Sequence, residues 1–134
     1  MQPFESVALA LFLISYTGSG LLSIVRPAAF RASELAFYTS GRLQWDELLV
    51  FATGALSFVV VLLHVFIEGP RLGQILLYLQ STLFAILLPL HFSAFFKRRM
   101  KGTLSQKNDA AYRSSGRTKL VISLAMIILP FVVR

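Results

Sequence analysis

The stretch HVFIEGPRLGQ, His64–Gln74, joins two long apolar segments and decides how the chain folds. The segment before it covers residues 46–67, and the segment after it covers residues 71–96. Each is long enough to cross the hydrocarbon core of a bilayer, which takes about 20 apolar residues in a helix. Glycine fits the position after a helix, and proline fits the first turn of the next helix. The sequence therefore predicts an antiparallel hairpin around an outer turn formed by Glu68, Gly69, Pro70 and Arg71.

The charges of this turn have a topological role in this interpretation. Headgroups and water are expected to solvate Glu68 and Arg71, and the two side chains can also pair with each other. An exposed pair contributes about 0–1 kcal/mol, so it adds little to stability.

The composition is that of an integral membrane protein. Hydrophobic residues make up 56% of the 134 residues and charged residues 14%, whereas a soluble domain is about 25% charged. Cysteine is absent, which excludes disulfides and thiol catalysis. The N-terminus lacks a basic segment, so no cleavable secretory signal is expected.

Two further apolar segments complete the predicted fold. One covers residues 4–25, and the other covers residues 115–133. The last segment is apolar for only about 14 residues and reaches full length if Arg117 and Lys119 extend to the interface. We predict an all-α membrane protein, a single domain with a bundle of four transmembrane helices. The helices are joined by the outer turn and by long loops at residues 26–45 and 97–118.

The basic residues predict the orientation of this bundle. Eleven of the thirteen Lys and Arg residues lie in or beside the two long loops. The positive-inside rule then places both loops in the cytoplasm and both termini outside, most simply in a bacterial cytoplasmic membrane. The first loop can lie flat on the inner leaflet or be plainly solvated, and the second is expected to be flexible unless a partner orders it.

Eight of the basic residues lie between Lys97 and Lys119. A Lys or Arg beside anionic headgroups gains about 1 kcal/mol. Nucleic acid is not an expected partner, because Tyr112 is the only aromatic residue among these charges. Contact with anionic lipid or with an acidic partner is predicted for Lys97, Arg98, Arg99, Lys101, Arg113, Arg117 and Lys119.

Small and polar residues recur on the predicted helices. Such residues let helices approach closely and form hydrogen bonds between them. They can also line a substrate path, although packing is the simpler interpretation. The predicted packing residues are Ser15, Gly18, Ser19, Ser23, Thr53, Gly54, Ser57, Gln80 and Ser81.

No catalytic or metal site is predicted. Asp and Glu are absent from the middle of every predicted span, so no buried ionisable residue is expected to mark a proton or ion path. Metal ligands are not clustered. His64 and His91 are weak candidates for a haem or pigment ligand. They lie at opposite ends of neighbouring helices, roughly 20–25 Å apart in depth at 1.5 Å per residue, so they cannot share one iron. No cofactor is therefore expected.

Three short stretches resemble one family. MQPFE (1–5), LHVFIEGPRLGQILLY (63–78) and LPFVVR (129–134) resemble the membrane region of bacterial membrane-anchored α/β-hydrolases of the platelet-activating-factor acetylhydrolase-like group. The resemblance implies helices preceding an extracytoplasmic hydrolase and agrees with an outward C-terminus. The hydrolase itself has no counterpart in this sequence, so no catalytic residue is carried over. A stand-alone membrane region with another role is expected.

These features favour a non-catalytic function. The first hypothesis is an accessory or scaffold subunit that contacts other transmembrane subunits in a respiratory or photosynthetic type of complex. One alternative is a small homo-oligomeric transporter or channel. The other is a pigment- or haem-binding subunit.

The predicted topology can be tested by labelling single cysteines in a chain that has none of its own. Cysteines replacing Glu68 and Lys101 should react with an impermeant maleimide from opposite sides of the membrane, because the charge bias orients the hairpin. Labelling of both positions from the same side would contradict the orientation.

Overall fold

The computed structural model describes residues 1–133, in which no strand occurs, and 88% of the protein is helical. Four stretches are long and apolar enough to span a membrane: Pro3–Val25, Trp45–Glu68, Leu72–Leu90 and Asp109–Val132. The prediction of an all-α protein with four such helices is confirmed. Its α-helices are α1 (Pro3–Val25), α2 (Pro27–Ser40), α3 (Trp45–Leu63), α4 (Ile75–Leu90), α5 (Ala94–Gln106) and α6 (Asp109–Val132).

Helix α1 is the centre of the bundle and packs against both α3 and α6, while α4 packs mainly against α3. A π-helical turn, His64–Glu68, continues α3, and a short 3-10 turn, Leu72–Gln74, precedes α4. The first residues of α1 touch Glu68, and Val133 lies against Gly73. Both ends of the described chain therefore lie beside the 68–71 turn, which we call the turn end. The opposite end, covered by α2 and α5, is the loop end.

The second long loop, expected to have little regular structure, is mostly helical. Helix α4 ends at Leu90 instead of residue 96, because Ser93 caps a new helix by accepting the N–H of Phe96 at 3.2 Å. Helix α6 begins at Asp109 instead of residue 115, because the Asn108 side chain accepts the N–H of Ala111 at 2.9 Å. Local capping, which hydropathy does not register, moves both boundaries.

The first long loop is also helical. Pro27 opens α2, and Gly41, at φ +73°, ends it in a left-handed conformation that glycine adopts without strain. Phe30, Phe37 and Tyr38 form an aromatic cluster with Leu104 of α5. Helix α2 thus lies between the bundle and α5 and closes the loop end.

Glycine brings the helices closest where α1 crosses α6. A Cβ on Gly116 would lie 2.5 Å from the carbonyl oxygen of Gly20, so the two backbones are in direct contact. A Cβ on Gly54 would lie 2.6 Å from the ring of Phe84. Gly18 differs from these glycines, because its Cβ position has no heavy atom within 4 Å.

The hydroxyl groups predicted to pack helices divide into two sets. Ser15 donates to the carbonyl of Val50 and Ser57 to that of Ala8, both at 2.8 Å, and these bonds join α1 to α3. The second set donates to carbonyls of its own helix and consists of Ser23, Thr53 and Ser81. Gln80 makes no side-chain hydrogen bond with any of residues 1–133.

The glycine crossing can be tested with a matched pair of substitutions. Gly116→Ala should lower the stability by about 1–3 kcal/mol, because the added methyl group overlaps the α1 backbone. Gly18→Ala, where the space is open, should be neutral or slightly stabilising through helix propensity. Unfolding in mixed detergent micelles measures both, and equal effects of the two variants would contradict the crossing.

Candidate functional site

Two buried polar clusters occupy opposite ends of the bundle, and the first is at the turn end. The carboxylate of Glu68 accepts the backbone N–H groups of Phe4 at 3.3 Å and Glu5 at 3.1 Å. The first N–H groups of a helix have no partner within it and carry positive partial charge. Glu68 therefore caps α1 from the end of the α3 segment.

A chain of hydrogen bonds holds Glu68 in place. His64 Nδ1 lies 3.0 Å from the Glu68 carboxylate and His64 Nε2 lies 2.7 Å from the Tyr78 hydroxyl. Since a carboxylate only accepts, Nδ1 donates, and a neutral ring then accepts the Tyr78 hydroxyl proton at Nε2. The Tyr78 oxygen in turn accepts the N–H of Arg71 at 2.9 Å. Both ring nitrogens of His64 are thereby used.

Glu5 is the second carboxylate of this cluster and is fully buried. It accepts from the Arg71 guanidinium at 3.1 Å and from the Gln74 amide at 2.8 Å. The expected pairing of Glu68 with Arg71 is therefore corrected: α1 supplies Glu5 for Arg71, while Glu68 bonds His64 and the α1 amides. Pro70 likewise lies before the 3-10 turn and outside the next helix.

The side chains of this cluster form a network that joins helices. We call it the turn-end network, and its members are Glu5, His64, Glu68, Arg71, Gln74 and Tyr78. Within residues 1–133, its buried side-chain polar atoms all have hydrogen-bond partners. Neither carboxylate is free to receive a ligand. Its residues therefore hold α1, α3 and α4 together.

The second cluster surrounds a cavity of about 190 Å³ at the loop end, the loop-end cavity. Its walls come from α1, α2, α3, α4, α6 and the residue that follows α4. Aromatic side chains and polar or charged side chains share these walls. The aromatic set is Phe12, Tyr16, Phe30, Tyr38, Phe51 and Phe84. The polar set is Ser15, Ser19, Glu34, Glu47, His91 and Lys119.

Glu47 is the most informative residue of the cavity. It lies in the first turn of α3, and only 5% of its surface is exposed. Its Oε1 has no hydrogen-bond partner among residues 1–133. A buried carboxylate oxygen without a partner is costly and rare, so this atom indicates a place for a proton, water or ligand.

Glu34 and Lys119 form the charged wall of the cavity. Glu34 lies on α2, and its carboxylate accepts the Tyr112 hydroxyl at 2.9 Å. Burial raises the pKa of Glu34, although the Tyr112 hydrogen bond and the positive charge of Lys119 act against that rise. The Lys119 ammonium donates to the Ser19 hydroxyl and lies 5.8 Å from the centre of the Tyr16 ring.

His91 closes the cavity beside α4. Its Nδ1 lies 2.6 Å from the carbonyl oxygen of Leu87, and its ring stacks on Tyr38 with centroids 6.0 Å apart. Because a carbonyl only accepts, Nδ1 carries the proton, and Nε2 of the neutral ring is an acceptor. Burial lowers the pKa of His91, which favours that neutral form.

Neither hydropathy nor a motif in the sequence identifies this cluster. The prediction concerns Asp and Glu in the middle of the spans, whereas the structure buries Glu5 and Glu47 near the helix ends, where solvation is the simplest expectation. Lys119, expected among lipid headgroups, instead lines the cavity. The acidic start of α3 and the four-residue spacing of Glu34 and Tyr38 were visible signals, but only the folded chain brings them together.

The remaining basic residues stay outside the cavity wall. Lys97 lies over the rings of Phe37 and Phe92 at 5.1 and 5.9 Å. The others are exposed to solvent or lipid: Arg98, Arg99, Lys101, Arg113 and Arg117. His64 and His91 lie at opposite ends of the bundle, and no group of three or more His, Asp or Glu residues within 1–133 is placed to hold a metal ion.

Comparisons with protein-family models, with curated proteins and with solved structures found no match to this chain. The geometry of the residues is therefore the basis for assigning a function.

The hydrogen-bond chain of the turn end makes a specific prediction. Tyr78→Phe should destabilise the protein by about 1–3 kcal/mol, because His64 Nε2 and the Arg71 N–H both lose their partner. Tyr16→Phe is the control, since the Tyr16 hydroxyl forms no hydrogen bond with residues 1–133. Unfolding in mixed micelles compares them, and a Tyr78→Phe protein as stable as the control would refute the chain.

Proposed function

We propose that the protein is a non-catalytic membrane protein that binds a small polar solute in the loop-end cavity and moves it across the membrane. The observation that carries this proposal is Glu47, which lines that cavity and whose buried Oε1 has no hydrogen-bond partner among residues 1–133. Ionisable residues within membrane-spanning segments are costly and usually belong to substrate, ion or proton paths.

The turn end provides an internal comparison. There the same chain surrounds Glu5 and Glu68 with donors from α1, the π-helical turn and the start of α4. Glu47 shares its cavity with aromatic, polar and charged side chains, yet its Oε1 accepts no hydrogen bond from residues 1–133. The fold supplies hydrogen-bond donors to the buried carboxylates of the turn end. The missing donor at Glu47 therefore supports a functional role for the loop-end cavity.

The fold also suggests where movement can occur. The turn-end network ties α1, α3 and α4 together, whereas α5 packs mainly on α2 alone. A displacement of α2 and α5, which would break the Arg31–Asp109 ion pair and the Tyr112–Glu34 hydrogen bond, would expose the cavity while the turn end stays closed. With the orientation predicted from the basic residues, this opening would face the cytoplasm.

Uptake into proteoliposomes tests the proposal with probes that differ in charge: methylammonium, tetramethylammonium, acetate and glycerol. At least one should accumulate in protein-containing vesicles but not in empty ones. Glu47→Gln should reduce that uptake roughly tenfold, the effect of losing about 1.4 kcal/mol of charge-assisted binding. Asp109→Asn is the matched control, because this carboxylate is 45% exposed and lies outside the cavity wall. Uptake of none of the probes, or equal loss in both variants, would overturn the proposal.

An accessory role in a larger membrane complex is the second candidate, and one surface of α4 and its preceding turn favours it. Exposed Leu and Ile residues recur there every three or four positions, a spacing typical of helix-packing seams. They are Leu72, Ile75, Leu79, Leu83, Ile86 and Leu90. The same face suits a homo-oligomeric transporter. Native mass spectrometry from mild detergent separates the two, since different subunits bound to the chain favour the accessory role and identical copies favour the transporter.

The remaining hypotheses receive less support. Both ring nitrogens of His64 have hydrogen-bond partners, which leaves none for a haem or pigment metal, and His91 keeps only Nε2 for one. The residues behind the family resemblance, Glu68, Gly69, Arg71 and Tyr78, belong to the turn end. A shared way of closing a helix bundle, without a shared activity, would account for that resemblance.

A further inference from the structure

We propose that the solute of the loop-end cavity is a small organic monocation of the alkylammonium class, which competes with a proton for Glu47. This inference rests on the proposed function and specifies its substrate. Three properties of the cavity carry it: the balance of charge, the aromatic walls and the volume.

The charges in the cavity are unequal. Glu34 and Glu47 are its two carboxylates, and Lys119 is its one ammonium group. Glu34 has a hydroxyl donor in Tyr112 as well as the nearby charge of Lys119. Glu47 lacks a partner for Oε1 among residues 1–133. One added positive charge, from a bound cation or a proton, would neutralise the cavity. An anion would increase its net negative charge.

The walls favour an organic cation over a metal ion. Six aromatic side chains line the cavity, and the faces of aromatic rings attract alkylammonium groups. Metal ions of the hard type need several oxygen ligands. Among residues 1–133, no group of three or more His, Asp or Glu side chains is placed to supply such a ligand set.

The volume limits the size of the cation. About 190 Å³ exceeds the roughly 30 Å³ share of one water several-fold. It is smaller than the roughly 300–1,000 Å³ of sites for drug-sized ligands. A methylated ammonium ion or a short alkylamine is therefore the expected occupant.

Proton competition depends on all charged and titratable groups around Glu47. These groups are Tyr16 on α1, Glu34 and Tyr38 on α2, Asp46 on α3 and His91 just after α4. Tyr112 and Lys119 come from α6, and Lys107 lies just before it. Asp46 already accepts from the Ser33 hydroxyl and the Glu47 N–H, both at 2.8 Å. Glu47 is therefore the carboxylate available to exchange a proton for a cation.

Isothermal titration of the purified 134-residue chain in detergent tests the inference. Tetramethylammonium is the probe, with tert-butanol as a neutral molecule of similar shape, acetate as an anion and sodium as a metal cation. Tetramethylammonium alone should bind, and more weakly at acid pH, where Glu47 is protonated. This pH comparison uses only the wild-type protein, so it does not depend on the folding of a variant.

Two substitutions then locate the site. Glu47→Gln should weaken tetramethylammonium binding roughly tenfold through the lost charge, and Phe51→Leu should weaken it several-fold through the lost ring. Asp109→Asn should leave it unchanged. Thermal unfolding without ligand checks that each variant is folded.

The possible failures are distinguishable. Binding of tert-butanol, acetate or sodium in preference to tetramethylammonium overturns the cation assignment, as does unchanged binding at acid pH or after Glu47→Gln. Glu47-dependent uptake of acetate or glycerol in the vesicle experiment would leave the proposed function standing and refute the substrate class. Failure of tetramethylammonium to bind the folded wild-type protein also refutes the class, whereas the proposed function fails if no vesicle probe is taken up or if Glu47→Gln and Asp109→Asn reduce uptake equally.

Discussion

The hydrogen bonds from the first amides of α1 to the carboxylate of Glu68 are the interaction on which the bundle depends. Lipid offers no partner for a free backbone N–H or a buried carboxylate, so each must find its partner within the protein. Glu68 meets both needs at once and fixes where α1 lies against α3. A hydrogen-bond chain through His64, Tyr78 and Arg71 holds this carboxylate in position.

The loop end follows the same physical rule with a different outcome. Its aromatic cluster packs α2 against α5, and Tyr112 supplies a donor to Glu34. Around Glu47 this packing stops short and leaves the loop-end cavity. The two ends thus differ in how completely their buried polar groups are paired, which is the basis of the proposed binding site.

The two ends also differ in how the helices are held. At the turn end, hydrogen bonds and the Glu5–Arg71 ion pair join residues more than sixty positions apart in the chain. At the loop end, aromatic packing on α2 is joined by the Tyr112–Glu34 hydrogen bond and the Arg31–Asp109 ion pair, which tie α2 to α6. The proposed entry of a ligand beneath α2 would require these contacts to separate.

The sequence by itself determined the number of helices that are long and apolar enough to span a membrane, because the length of an apolar segment relates directly to bilayer thickness. It also determined the hairpin turn, since Gly69 has the positive φ of +85° that glycine accepts. Sequence pattern did not locate the helix boundaries in the second long loop, where Ser93 and Asn108 act as caps.

Only the tertiary structure decided the partners of the charged residues. Hydropathy describes each residue by its neighbours in the chain, and Glu5, Glu47 and Lys119 all lie near ends of apolar segments, where solvation is the simplest expectation. Their surroundings come from other helices: Arg71 and Gln74 for Glu5, and α1, α2 and α6 for the cavity. Whether a charge near a helix end meets water, a donor or an empty space depends on the packing of distant segments, which no local pattern encodes.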